Sequence, residues 1–181
     1  MVKEKYSIDK RKYAFFPYSK QYPLMFLKEK RKIEMLLGKT FKIEHVGSTS
    51  IPRLGGKGII DIAIKIQRNK LNNFLNKIKR VGYEYNLEHP KNEKSIFLQK
   101  IIKYRGKERR IHIHLVINNG FWDSFIVFRD YLIIHDKERK RYAEVKKEAV
   151  KYAKGESRKY RKYKDKFLRN LMKKAYKTQI I

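Results

Sequence analysis

One short segment gathers small residues, hydroxyls, a cation and a carboxylate: Gly47-Ser48-Thr49-Ser50, then Lys57, then Asp61. Phosphate handling is the chemistry this combination suits. Backbone N–H groups at a Gly-Ser turn opening a short helical turn point outward and bind anions. Lys57 adds a positive charge to the Gly-rich stretch that follows. Asp61 interrupts the apolar run from Ile59 to Ile66. A carboxylate in such a strand must be paired, metal-bound or salt-bridged to one of the many lysines, because an unpaired buried charge is costly. Further along, Arg110, His112 and His114 alternate with Ile111, Ile113 and Leu115. Period-two alternation puts Arg110 and both histidines on one strand face, where they suit an anion or a metal.

These residues need elements to hold them. Phe41 to Val46 reads as a strand that Gly47-Ser48 ends, and Ile59 to Ile66 as a second strand. Ser48, Thr49 or Ser50 is placed to cap a helical turn with Pro52 near its start. Before this pair, Tyr18 to Pro23 leads into a helix carrying Phe26, Ile33, Leu36 and Leu37, which Gly38 stops. Residues 1–16 read as an arm or a loosely packed strand. After the pair, Leu71, Phe74, Leu75, Ile78 and Val81 mark an amphipathic helix closed by Gly82. Tyr83 to Tyr85 begins a strand, and 87–94 is a polar loop containing Pro90. Residues 96–103 and 109–117 form a hairpin turning at Arg105-Gly106-Lys107. Trp122 to Ile134 reads as a buried helix with the polar trio Arg129-Asp130-Tyr131, where Arg129 and Asp130 suit an internal salt bridge as well as a ligand contact. Two helical stripes end the chain: Tyr142, Val145, Ala149 and Tyr152, then, past Gly155, Tyr160, Tyr163, Phe167, Leu171 and Ala175.

Composition narrows the function classes. There are no cysteines among the 181 residues, so disulfides and thiolate metal sites are excluded. No apolar run approaches the roughly 20 residues of a membrane span, and the first residues lack a signal-peptide core, so a cytoplasmic location is expected. The net charge is +29. From 137 to 177 there are 18 Lys and Arg against 5 Asp and Glu. That excess, interleaved with tyrosines, fits RNA or DNA contact through the C-terminal helices, as it fits a uniformly basic surface.

The motifs carry a resemblance. Glu44-His45-Val46-Gly47-Ser48-Thr49-Ser50-Ile51-Pro52, then Leu54, Lys57 and Ile60-Asp61-Ile62, resemble the GrpB family. So do Tyr18, Pro23 and Phe26, the strand Ile111 to Val116 with its His-x-His, and Phe128-Arg129-Asp130-Tyr131-Leu132. Tyr142-Ala143 with Lys146, then Tyr160, Lys164 and Phe167, continue the likeness, which covers about residues 17–176. That family is similar to the nucleotidyltransferase superfamily with the polymerase-beta-like fold. The resemblance implies an α+β fold: a mixed β-sheet flanked by helices, with a helical C-terminal region. It divides the chain into a core at 1–135 and a basic helical part at 136–181 packed on it, within one compact domain.

The resemblance also implies a chemistry: transfer of a nucleotidyl group from a nucleoside triphosphate to an acceptor. In the superfamily, an Asp-x-Asp pair and a third carboxylate hold two divalent metals against the triphosphate. Here Ala63 stands two residues after Asp61, and the later strand offers His112 and His114. Asp61, His112 and His114 thus become the candidate catalytic and metal-binding set, for Mg²⁺ or Mn²⁺, or Zn²⁺ with its preference for imidazole. One histidine is also a candidate general base. Gly47, Ser48, Thr49, Ser50, Lys57, Arg110, Arg129 and Lys164 are the candidate phosphate contacts. The alternatives are a non-catalytic module that binds a nucleotide or phosphorylated small molecule, and an RNA-binding protein.

Overall fold

A computed structural model describes residues 14–38, 40–85, 95–117 and 119–178. The expected arm up to residue 13 and the polar loop at 87–94 lie outside them. The elements run α1 (Gln21–Leu37), β1 (Lys42–Val46), β2 (Ile60–Lys65), α2 (Leu71–Arg80), β3 (Glu84–Tyr85), β4 (Ser95–Tyr104), β5 (Lys107–Val116), α3 (Asn119–Ile134), α4 (Asp136–Ala153) and α5 (Ser157–Thr178). One-turn 3-10 helices sit at Ser48–Ser50 and Arg68–Lys70. This is the α+β architecture expected, a mixed sheet with flanking helices.

The sheet order is β1-β2-β5-β4-β3, and only β2 and β5 run parallel. Side-chain alternation gives the sheet two unlike faces. Ile43, Ile60, Ile62, Ile64, Ile111, Ile113 and Leu115 face α1 and α2, where they meet Met25, Phe26, Ile33, Phe74 and Ile78 in the main core. Each such side chain contributes about 1.5–3 kcal/mol by burial. The opposite face carries Val46, Ala63 and Val116 against Trp122 of α3. Beyond it, Ile51 and Leu54 pack with Val127, Leu132, Tyr142 and Leu171, which fastens α3, α4 and α5 over one end of that face.

Local details differ from the sequence reading. Pro23 is the third residue of α1 rather than its first, and Pro52 follows the 3-10 turn rather than opening it. The turn is formed by Ser48–Ser50 themselves, with Gly47 before it and no side-chain cap. Lys107 already belongs to β5. Val81 is exposed. In α4 the buried stripe is Arg139, Tyr142, Lys146, Ala149 and Ala153, while Tyr152 is 54% exposed. The helix is rotated so that two cations face inward. Arg139 is absorbed by the Leu132 and Ile133 carbonyls and Asp136. No described helix is long and apolar enough to cross a membrane.

Candidate phosphate-binding cleft

β1 delivers the loop. At its end Gly47 has φ +69°, and a Cβ there would lie 2.5 Å from Asp61 Oδ2. Glycine is needed both for the left-handed backbone and for this approach. Behind the loop, Thr49 Oγ1 donates to the Ile59 carbonyl at 2.9 Å and lies 3.0 Å from His45 Nε2. The hydroxyl has one proton, already given to Ile59, so His45 must donate from Nε2. Burial pushes the His45 pKa down to about 4, opposed by Asp61, and the ring, stacked on Phe26, is neutral. Ser50 Oγ donates to the Gly47 carbonyl at 2.7 Å. Thr49 and Ser50 therefore brace the turn from within.

β2 and β5 deliver the reactive groups. Their parallel register sets Asp61 beside His112 and Ala63 beside His114. His112 Nδ1 lies 3.2 Å and His114 Nε2 3.3 Å from the same oxygen, Asp61 Oδ1. Burial works to raise the Asp61 pKa, but the hydrogen bonds from His112 and His114 hold it well below the usual carboxylate range. An ionised carboxylate only accepts, so both facing nitrogens carry hydrogens. Burial lowers the His112 pKa despite Asp61. Its ring is neutral, and Nε2 bears the lone pair. Among the described residues this is the one buried side-chain polar atom without a hydrogen-bond partner. Phe97 of β4 sets its ring against both histidines at 4.7 and 4.9 Å, and Phe125 of α3 meets His114 at 4.9 Å.

α4 and α5 deliver the cations. Lys146 is 3% exposed, and its Nζ donates to the Gly55 carbonyl. Beside that ammonium lies Ser48 Oγ; both crowd Gly56 so closely that a Cβ there would strike them. Lys57 and Lys164 stand over the Tyr160 ring at 5.1 and 4.2 Å. Burial, then Lys164 and Lys57, push the Lys146 pKa well below its ordinary value, with Asp61 partly offsetting them. Burial and Lys57 bring Lys164 down to about 8, against the pull of Asp61 and Asp165. Lys146 thus sits beside Ser48, Lys57 and Lys164 share the Tyr160 ring, and both helix lysines lie within the electrostatic reach of Asp61.

The structure brings together Gly47, Ser48, Lys57, Asp61, His112, His114 and Lys164. It places the other candidates elsewhere. Thr49 and Ser50 are internal braces. Arg129 binds Glu44 at 2.8 Å, Asp130 at 2.7 Å and the His45 carbonyl at 3.1 Å, tying α3 to β1. Arg110 shares the histidine face of β5 but sits opposite Ile101 on β4, farther along the hairpin. Lys146 was not among the expected phosphate contacts. Its signal was its position four residues after Tyr142, on the helix's apolar side.

The donor set does not fit a pair of Mg²⁺ ions, which need several oxygen ligands. Asp61 Oδ1 already accepts two N–H groups. Ala63 is fully buried beneath Trp122. Glu44, opposite Ala63 on β1, is held by Arg129. Among the described residues no three His, Asp or Glu side chains are placed to hold one ion.

Comparison with known proteins agrees with these motifs. The family model described as "GrpB protein" matches residues 13–174. The UPF0157 protein BH1888 of Halalkalibacterium halodurans is 30% identical over 165 residues, covering 89% of this chain and 81% of that protein. The UPF0157 protein YqkA of Bacillus subtilis is 32% identical over 142 residues, 77% of this chain but only 40% of that longer protein. The crystal structure of conserved protein GrpB from Enterococcus faecalis superposes with a TM-score of 0.77 at 26% identity, covering 93% of this chain and all of that one. With the glycine-serine turn, the strand aspartate and the His-x-His strand in their places, the chain belongs to the GrpB family.

Proposed function

We propose that this protein binds a nucleoside triphosphate in the cleft and transfers its nucleotidyl group to an acceptor hydroxyl, as a nucleotidyltransferase-type enzyme. The observation that carries the reading is that Lys146 Nζ and Ser48 Oγ both crowd Gly56 while Lys57 and Lys164 share the Tyr160 ring. A desolvated group of cations facing backbone amides suits a polyphosphate, since charge-assisted hydrogen bonds gain strength away from water. In the transfer the acceptor oxygen attacks the α-phosphorus. The new P–O bond forms as the α–β bridging bond breaks, and pyrophosphate leaves. The acceptor's proton passes to one of the two imidazoles, His112 or His114, that Asp61 orients.

The exposed basic side of α5 favours RNA as the acceptor, and a steep loss of RNA affinity with salt is then expected. Thermal-shift titration with ATP, GTP, CTP and UTP tests binding, and pyrophosphate release with an RNA oligonucleotide tests transfer. The expected result is a raised Tm and a release that His112→Ala and Asp61→Asn each reduce by about 100-fold or more. No Tm shift with any nucleotide, or release unchanged in both variants, overturns the reading.

A further inference from the structure

We infer that the three lysines do the work of the divalent metals: Lys57, Lys146 and Lys164 neutralise the polyphosphate directly, so this protein binds nucleoside triphosphates without Mg²⁺ or Mn²⁺. The inference rests on the proposed binding reading and goes beyond it.

It begins with the carboxylates. In a two-metal site several acids are needed because the ions must be held before they can attract the substrate. The sheet face here offers Asp61 and Glu44. Two imidazoles take one oxygen of Asp61, and the other lies beside Gly47. Glu44 is clamped by Arg129. Neither is disposed to gather an ion with a partner acid, and position 63 is a buried alanine packed with Trp122 rather than a second acid.

The cations supply the complementary half. Lys146 comes from α4, Lys164 from α5 and Lys57 from the loop before β2; Lys57 and Lys164 share the Tyr160 ring, and Asp61 acts on both helix lysines. Asp165 and Arg161 also act on Lys164 from its own helix, and Tyr142 and Tyr160 line the recess. Around Lys146 and Lys164 the charged neighbours among the described residues are Lys57 and Arg161 against Asp61 and Asp165, so cations outnumber carboxylates there, where a metal site built from acids starts with an excess of negative charge. Burying like charges together is unfavourable in the ligand-free protein. An anion relieves that repulsion, and the lysines then regain full protonation. Metal-free binding is therefore accompanied by proton uptake, a signature that a metal-bridged complex lacks.

The test is calorimetric titration of the full chain with ATP and with inorganic tripolyphosphate, in excess EDTA and in excess Mg²⁺. ATP affinity in EDTA is expected within about threefold of that in Mg²⁺. Lys146→Met and, separately, Lys164→Met should each weaken it by about tenfold or more, the scale of a lost charge-assisted hydrogen bond. Repeating the titration above pH 8 in buffers of different ionisation heat should reveal proton uptake in the wild type that the variants reduce. Binding seen only with Mg²⁺ overturns this inference and leaves the nucleotide-binding reading standing. Binding in neither condition overturns both. Equal EDTA binding by wild type and both variants assigns it to the general surface charge and overturns the inference too.

Discussion

Gly47 and Asp61 touch across the turn so closely that a single methyl group on the glycine would reach the carboxylate oxygen. Gly47→Ala therefore combines left-handed backbone strain with a direct collision against a side chain that two histidines hold. A loss of about 2–3 kcal/mol is expected, from strain of about 1 kcal/mol and the displacement of Asp61. Urea denaturation checks it. A Gly47→Ala protein as stable as the wild type would mean that Asp61 is free to swing away.

Lys146 separates stability from binding. It is a buried cation whose Nζ meets a carbonyl rather than a carboxylate. Methionine has nearly its shape and no charge. Lys146→Met is expected to hold or raise the Tm, because replacing a buried charge by an apolar side chain of similar volume is often neutral or stabilising. The same variant should lose nucleotide affinity. A drop of several kelvin in Tm would show that the ammonium stabilises the fold.

The cleft lysines give the ligand-free protein a recognisable pH dependence. Lys164 is held at about 8 against an ordinary 10.5. An unfolded lysine stays protonated up to about 10.4. Between those values the unfolded chain binds more protons, so stability rises with pH. The penalty is fully present below pH 8 and is relieved as pH climbs through that value. Lys146 acts in the same direction. Tyr22, Tyr83 and Tyr142, all raised mainly by burial, reverse the trend once unfolded tyrosines ionise near pH 10. Urea melts at pH 7, 8, 9 and 10 should therefore show rising stability between 8 and 10, with a smaller rise in Lys164→Met. A flat profile in the wild type would show that the lysines remain solvated.

On the other sheet face Glu29 provides a contrast. It is 2% exposed, accepts from Tyr83 at 2.9 Å and pairs with Lys100 at 2.5 Å. Burial acts to raise its pKa, but Lys100, then Tyr83 and Lys32, bring it below the ordinary value. Its contribution is present above the unfolded carboxylate pKa and is lost on acidification. Glu29→Ala should cost about 3 kcal/mol by leaving Lys100 and Tyr83 without their acceptor. Nucleotide affinity should be unchanged, because α1 lies behind the sheet. Reduced affinity in a folded Glu29→Ala protein would mean that the two faces are coupled.

How much of this was legible from residues alone depends on the kind of pattern. Ile111, Ile113 and Leu115 alternating with two histidines set the strand, its core face and the shared face of His112 and His114, because a strand has one simple period. The meeting of Asp61 with those histidines required the register of β2 on β5, which no local pattern encodes. Arg129 suited a ligand contact and an internal salt bridge with Asp130 equally well, and the structure has the salt bridge. Its engagement depends on Glu44, 85 positions earlier. Lys146 was the largest omission. The stripe drawn through Val145 and Tyr152 assumed that a helix turns its apolar residues inward. α4 instead buries Arg139 and Lys146, because neighbouring carbonyls at Leu132, Ile133 and Gly55 receive them. The Thr49 and Ser50 hydroxyls were indistinguishable from that of Ser48 in sequence, and only the turn geometry sends them inward.

The sole parallel pairing among the described strands joins segments 51 residues apart, and the lysines that complete the cleft follow later still, on α4 and α5. During synthesis the glycine-serine turn and Asp61 leave the ribosome first, their histidines next, and two of the three cations near the end. Until α5 has docked, the nascent chain holds its carboxylate without its full set of counter-charges. On the proposed reading, competence to bind phosphate is acquired only with the last helix, and a chain ending before Tyr160 would display the family's signature motif without Tyr160 and Lys164.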